Sequence, residues 1–175
     1  MRLSLAALLL AALPGLGLAA APSRHEVLQA ISVLEKDVTA PGAVDAAKTI
    51  VTYAQESDDV MVDIGPDQIP WVSEKWGLGQ DRELACQSML FAAFVAGNVK
   101  SQLKGGRAEN DSYSGWVFAI SVYRRLSAGA PFHSPSIESL SRMEAEGTLL
   151  RHAREVQKRE EEEEDRAEPD RRPFT

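Results

Sequence analysis

Residues 81–106 read DRELACQSMLFAAFVAGNVKSQLKGG, and this stretch decides the fold. Asp81 and Glu83 suit the positive end of a helix, Lys100 and Lys104 suit the negative end, and Gly105-Gly106 stops it. Between those ends, Met89 to Ala96 is apolar on every side. A helix that is apolar all round is buried all round. About 24 residues at 1.5 Å each span ~36 Å, so other helices must wrap this one along its length. Gly97 in its interior costs ~1 kcal/mol relative to alanine. With Ala93 one turn earlier, it would let a neighbouring helix approach closely. A break at Gly97-Asn98 is the alternative.

The flanking sequence supplies the cover. Ser23-Arg24-His25-Glu26 is a capping box, and Val27, Ile31, Leu34 and Val38 follow at helical spacing, which predicts a helix over about 24–38. Pro41 suits the first turn of a second helix, with Ala43, Ala47, Ile50 and Ala54 as its stripe and an end near Gln55. After the central helix, Asp111 or Ser112 can cap a helix carrying Tyr113, Trp116, Ile120 and Tyr123 on one face. Ser134-Pro135 opens another, with Ile137, Leu140 and Met143 apolar; Gly147-Thr148 divides it from Leu149, Leu150, Ala153 and Val156. Residues 57–79 are different. Val60 to Ile64 alternates and reads as extended, Pro66 and Pro70 forbid a long helix, and Pro70 to Trp76 suits a short one stopped by Gly77 and Gly79. The expected fold is all-α: a five- to six-helix bundle around a central apolar helix, with a short irregular connection containing proline and tryptophan.

The two ends read differently from the middle. Arg2, the apolar run Leu3–Leu13, then Pro14, Gly15, Gly17 and the alanines 19–21 have the three-part layout of a secretory signal peptide. Pro22 disfavours cleavage after Ala21, so residues 1–19 or 1–20 would be removed. No cysteine stands at the junction, which excludes a lipoprotein anchor. The expected location is therefore periplasmic or extracellular. After Val156 no apolar side chain other than Ala167 appears before Phe174, and Glu160 to Asp165 is a run of six acids. Three segments result: a leader over 1–19, one helical domain over 20–156, and a charged helical extension with a disordered tail over 157–175.

Charge and composition narrow the function. The 175 residues carry a net charge of −7, which disfavours a general nucleic-acid binder. Loss of Arg2 with the leader makes the remaining chain more acidic still. The longest apolar stretch of the mature chain, Ser88 to Val99, is too short to cross a membrane and suits a buried helix. A single cysteine permits no disulfide within the chain, and Cys86 reads as a buried structural thiol.

No constellation points to catalysis, a metal or a cofactor. His25, His133 and His152 are mutually isolated, and there is neither H-E-x-x-H nor a Cys/His cluster. Asp58, Asp59, Asp63 and Asp67 surround a turn, but their spacing matches no calcium loop. Gly77-Leu78-Gly79 and Gly105-Gly106 read as helix punctuation rather than phosphate cradles. No G-x-S-x-G stands in the chain. The Trp, Leu-Gly and Tyr positions of a 34-residue tetratricopeptide repeat do not recur. Trp71 and Trp76 flank a segment with little core of its own, and are the candidate contact residues for a partner protein. The reading that follows is a non-catalytic, secreted or periplasmic protein-binding or accessory module. Two alternatives are a carrier of a small apolar ligand, lined by Met89, Phe91 and Phe94, and a hydrolase of unrecognised class acting on cell-envelope material through distant carboxylates.

Overall fold

A computed structural model describes residues 21–129 and 131–167. The segment expected to be a signal peptide and the end of the tail lie outside the described residues. Among those described, the chain forms six helices and no strand: α1 Arg24–Lys36, α2 Ala43–Glu56, α3 Gln80–Gly105, α4 Ser112–Gly129, α5 Pro135–Ala145 and α6 Leu149–Ala167. The all-α helical bundle read from the sequence is the observed fold.

The central helix α3 is continuous through Gly97-Asn98, and every residue from Met89 to Val99 is buried. Its neighbour α4 explains the glycine. A Cβ on Gly97 would stand 2.8 Å from the Ser114 carbonyl carbon and 2.8 Å from the Phe118 Cβ. Gly115 does the same from the other side: its Cβ would meet the Phe94 ring at 2.6 Å. The two glycines let α3 and α4 pack backbone to backbone, closer than side chains permit.

The capping box at the start of α1 is formed, with Ser23 Oγ accepting from Glu26 N–H and the Glu26 carboxylate accepting from Ser23 N–H. Three expected boundaries move, the first being the end of α1, which stops at Lys36 rather than near Val38. The second helix begins at Ala43 rather than at Pro41, because Gly42 takes a left-handed φ of 97° and turns the chain there. The short helix expected over 70–76 is a 3₁₀ turn, Pro70–Ser73. It stops early because the Glu74 carboxylate is drawn away to the start of α5: Ser134 Oγ donates to it at 2.6 Å and Ser136 N–H at 2.8 Å. Residues 60–64 form neither helix nor strand. Gln102 holds them against α3, accepting from Met61 N–H at 2.8 Å and donating to the Met61 carbonyl at 2.6 Å. No described helix is long and apolar enough to cross a membrane.

Asp111 caps α4 by accepting from Ser114 N–H at 3.0 Å. The expected stripe of α4 holds for Trp116, Ile120 and Tyr123, which are buried, but not for Tyr113, which is exposed. Gly147 separates α5 from α6 at a φ of 70°. Helix α6 buries Leu149, Ala153 and Val156, then continues as a charged rod. Near its far part it is tied to the 65–68 turn, where Arg159 pairs with Asp67 at 2.9 Å and Gln68 Nε2 donates to Glu160.

Candidate functional site

The structure places the two candidate tryptophans inside. Trp71 is fully buried and meets the Phe94 ring edge-on at 6.3 Å. It offers no face to a partner, which corrects the expectation of an exposed contact. The reason is the 3₁₀ turn, whose tight backbone aims residue 71 at the core. Trp76 is half-buried, with its ring 5.0 Å from Phe132 and its Nε1–H donated to Glu74 at 2.9 Å. Both rings serve to fasten the irregular connection to the bundle.

The richest polar cluster stands beside them. Glu74 accepts from Trp76, from Ser134 and from Ser136. Burial pushes its carboxyl up, but these hydrogen bonds outweigh that and hold it below the ordinary range. Tyr123 Oη accepts from Ser134 N–H at 3.2 Å and lies 2.7 Å from Glu138 Oε1. Burial and that carboxylate push the phenol up to about 12. His133 Nδ1 is 3.0 Å from the same Glu138 oxygen. The arrangement resembles a hydrolytic constellation only in composition. Both serine hydroxyls donate to a carboxylate whose lowered pKa makes it a poor base. The cluster is a clasp between the connection and the start of α5.

The remaining candidates are equally engaged. Cys86 is half-buried, and desolvation pushes its thiol up, the opposite of a reactive cysteine. His152 stacks on Trp116 at 5.3 Å. Asp59 accepts from Tyr53, and Asp67 pairs with Arg159. Among the described residues no three His, Cys, Asp or Glu side chains are grouped to hold a metal ion.

What the bundle does present is a groove of about 670 Å³ between the end of α1, the second half of α3 and the outer face of α4. Its floor is Gly97, Val117 and Phe118, and its walls carry Lys36, Lys100, Lys104, Arg125 and Tyr113. Among the lining residues four cations stand against one acid, Glu35, on a chain whose net charge is −7; at the edge the Asp111 carboxylate accepts from Ser101 and Ser114. Lys100 pairs with Glu35. Arg125 donates to the Leu34 and Glu35 carbonyls at 2.9 and 2.8 Å, closing the last turn of α1. Lys36 and Lys104 are exposed and make no hydrogen bond or ion pair among the described residues. The groove exists because Gly97 brings the backbones of α3 and α4 together, so the side chains on either side stand apart above a shallow apolar floor.

The chain matches no protein-family model, no curated protein and no solved structure. Function therefore rests on this geometry. Sequence reading passed over the groove because each of its cations had a local explanation. Lys100 and Lys104 suit the end of α3, and Arg125 suits the end of α4. Only packing shows that they converge with Lys36. The available signal was the pair Lys100 and Lys104, one turn apart directly after the buried run Met89–Val99, which marks a solvent edge of the helix.

Proposed function

We propose that this chain is an exported, non-catalytic helical module that binds an acidic segment of a partner protein in the groove between α1, α3 and α4. The observation that carries the reading is the convergence of Lys36, Lys100, Lys104 and Arg125 over an apolar floor on an otherwise acidic chain. A cleft lined by one sign of charge concentrates ligands of the opposite sign. The two lysines without partners supply attraction, and Val117, Phe118 and Tyr113 supply apolar contact. A folded or folding peptide with carboxylates beside apolar residues fits both. Phosphate polymers and anionic membranes fit less well, because they are bound over broad basic surfaces and this chain carries a net charge of −7. Export follows from the leader-like layout of residues 1–19, which would be removed to leave the helical domain and its charged extension.

The test is fluorescence anisotropy of a labelled peptide containing six consecutive glutamates. The chain should bind it, and a Lys36→Glu/Lys104→Glu variant should bind at least about tenfold more weakly, since close charge pairs of this kind contribute about 1.5 kcal/mol or more. Equal binding by both proteins, or binding to phosphatidylglycerol vesicles but not to the peptide, contradicts the proposal.

A further inference from the structure

We infer that the groove's occupant is the acidic extension of α6 from a second copy of this chain. This rests on the groove reading above and names its partner. Three observations lead to it.

The first is charge. Residues 157–167 read QKREEEEEDRA, with six acids against Lys158, Arg159 and Arg166, a surplus of three negative charges. The residues that line the groove carry four cations against one acid, with the Asp111 carboxylate at its edge. The second is length. At 1.5 Å per residue, Gln157 to Ala167 extends ~15 Å, and the groove wall from Tyr113 to Arg125 runs ~18 Å along α4. The third is geometry, which excludes the chain's own extension. Helix α6 lies against the side of α4 that bears Trp116, where His152 stacks on the indole. Ser121 lines the groove. Trp116 and Ser121 are five residues apart, which puts them ~140° apart around the α4 axis. The extension is also held on that far side by Arg159–Asp67 and Gln68–Glu160. While α6 stays docked, its acids cannot reach the groove of the same molecule. They can reach another copy's.

Donor and acceptor surfaces on different faces of one molecule make a heterologous contact. Repeated, it joins copies head to tail rather than closing a pair through one shared patch. Charge drives it, so salt must weaken it.

Sedimentation velocity on the full chain, purified as the cell processes it, tests this. Three proteins are compared at low and high salt: the wild type, Lys36→Glu/Lys104→Glu, and Glu161→Lys/Glu163→Lys. All four positions are exposed, so each variant should keep the wild-type circular dichroism. The wild type should exceed the mass of one chain at low salt and return to it at high salt. Each variant alone should stay at the mass of one chain. An equimolar mixture of the two variants should associate again, since the unchanged extension of the groove variant meets the unchanged groove of the extension variant. Wild type that remains a monomer at about 0.1 mM overturns the inference. So does association that survives in either variant. The hexaglutamate peptide separates the two ideas. If it binds a monomeric wild type, the groove reading stands and the self-partner falls; if it does not bind, both fall.

Discussion

Replacing Gly97 by alanine sets two effects of known size against each other. In an exposed helix the change stabilises by ~1 kcal/mol. Here the new Cβ would stand 2.8 Å from both the Ser114 carbonyl carbon and the Phe118 Cβ, and closer still to the Ser114 oxygen. Ordinary contact needs at least ~3.5 Å. The obstacle is the backbone of a packed helix, so no side-chain rotation relieves it. The α3–α4 seam must open by about 0.5–1 Å, which forfeits a quarter to a half of each contact's attraction across it. Overpacking of this kind costs about 1–3 kcal/mol, and an immovable neighbour places it near the upper end. The net expectation is a loss of ~2 kcal/mol after the propensity gain is subtracted. Gly105→Ala is the internal control: it lies in the last turn of the same helix with no atom within 4 Å of its added Cβ. It should be neutral or stabilise by up to ~1 kcal/mol. Urea unfolding followed by circular dichroism measures both, with unchanged m-values confirming that the same transition is compared. Gly97→Ala as stable as the wild type would refute the close-packed seam, and with it the explanation of the groove floor.

Other consequences follow from hydrogen bonding and charge. Trp116 Nε1 donates to the Gln68 carbonyl at 2.7 Å, while Trp71 Nε1 is buried with no hydrogen-bond partner among the described residues. Trp116→Phe should therefore destabilise by about 1–3 kcal/mol more than Trp71→Phe, as read by thermal unfolding. Desolvation pushes the Glu160 carboxyl above its ordinary 4.5; the Gln68 bond partly opposes this, and Asp63, Asp67 and Glu163 add to the rise. A carboxyl raised in the folded state stabilises below its unfolded pKa and loses that contribution as pH rises through the folded value. Glu160→Gln should then melt higher than the wild type at pH 7, and the difference should vanish below pH 4.5. Glu74 has the opposite sign: its hydrogen bonds hold the folded pKa below 4.5, so its contribution is present above 4.5 and is lost as pH falls further. Glu74→Gln should cost ~1.5 kcal/mol at pH 7 and progressively less in acid, where the wild-type carboxyl protonates.

The parts of the fold legible in the sequence are those set by local chemistry. The all-round apolar run of α3, the Ser23/Glu26 capping box and the Ser134-Pro135 start of α5 each specify a helix within a few residues. The close approach at Gly97 was readable because a glycine inside a buried helix needs a packing reason. The start of α2 moved because Gly42 turns the chain locally, whereas the end of the 3₁₀ turn depends on partners far along the chain. The 3₁₀ turn ends where Glu74 reaches serines sixty residues away. The burial of Trp71 depends on that turn, so its side chain was free to be read either way. The groove was the least legible feature. It is built from α1, α3 and α4, and no single segment carries more than two of its cations.

The central claim is that this groove, and no other surface, receives acidic protein segments. A ¹⁵N–¹H correlation titration with the hexaglutamate peptide tests it residue by residue. The account predicts saturable shifts at the amides of Lys36, Gly97, Lys100, Ser101, Lys104, Ser114 and Ser121, which line or floor the groove, and none around Trp76. Shifts confined to another face, or none at peptide excess, would contradict it.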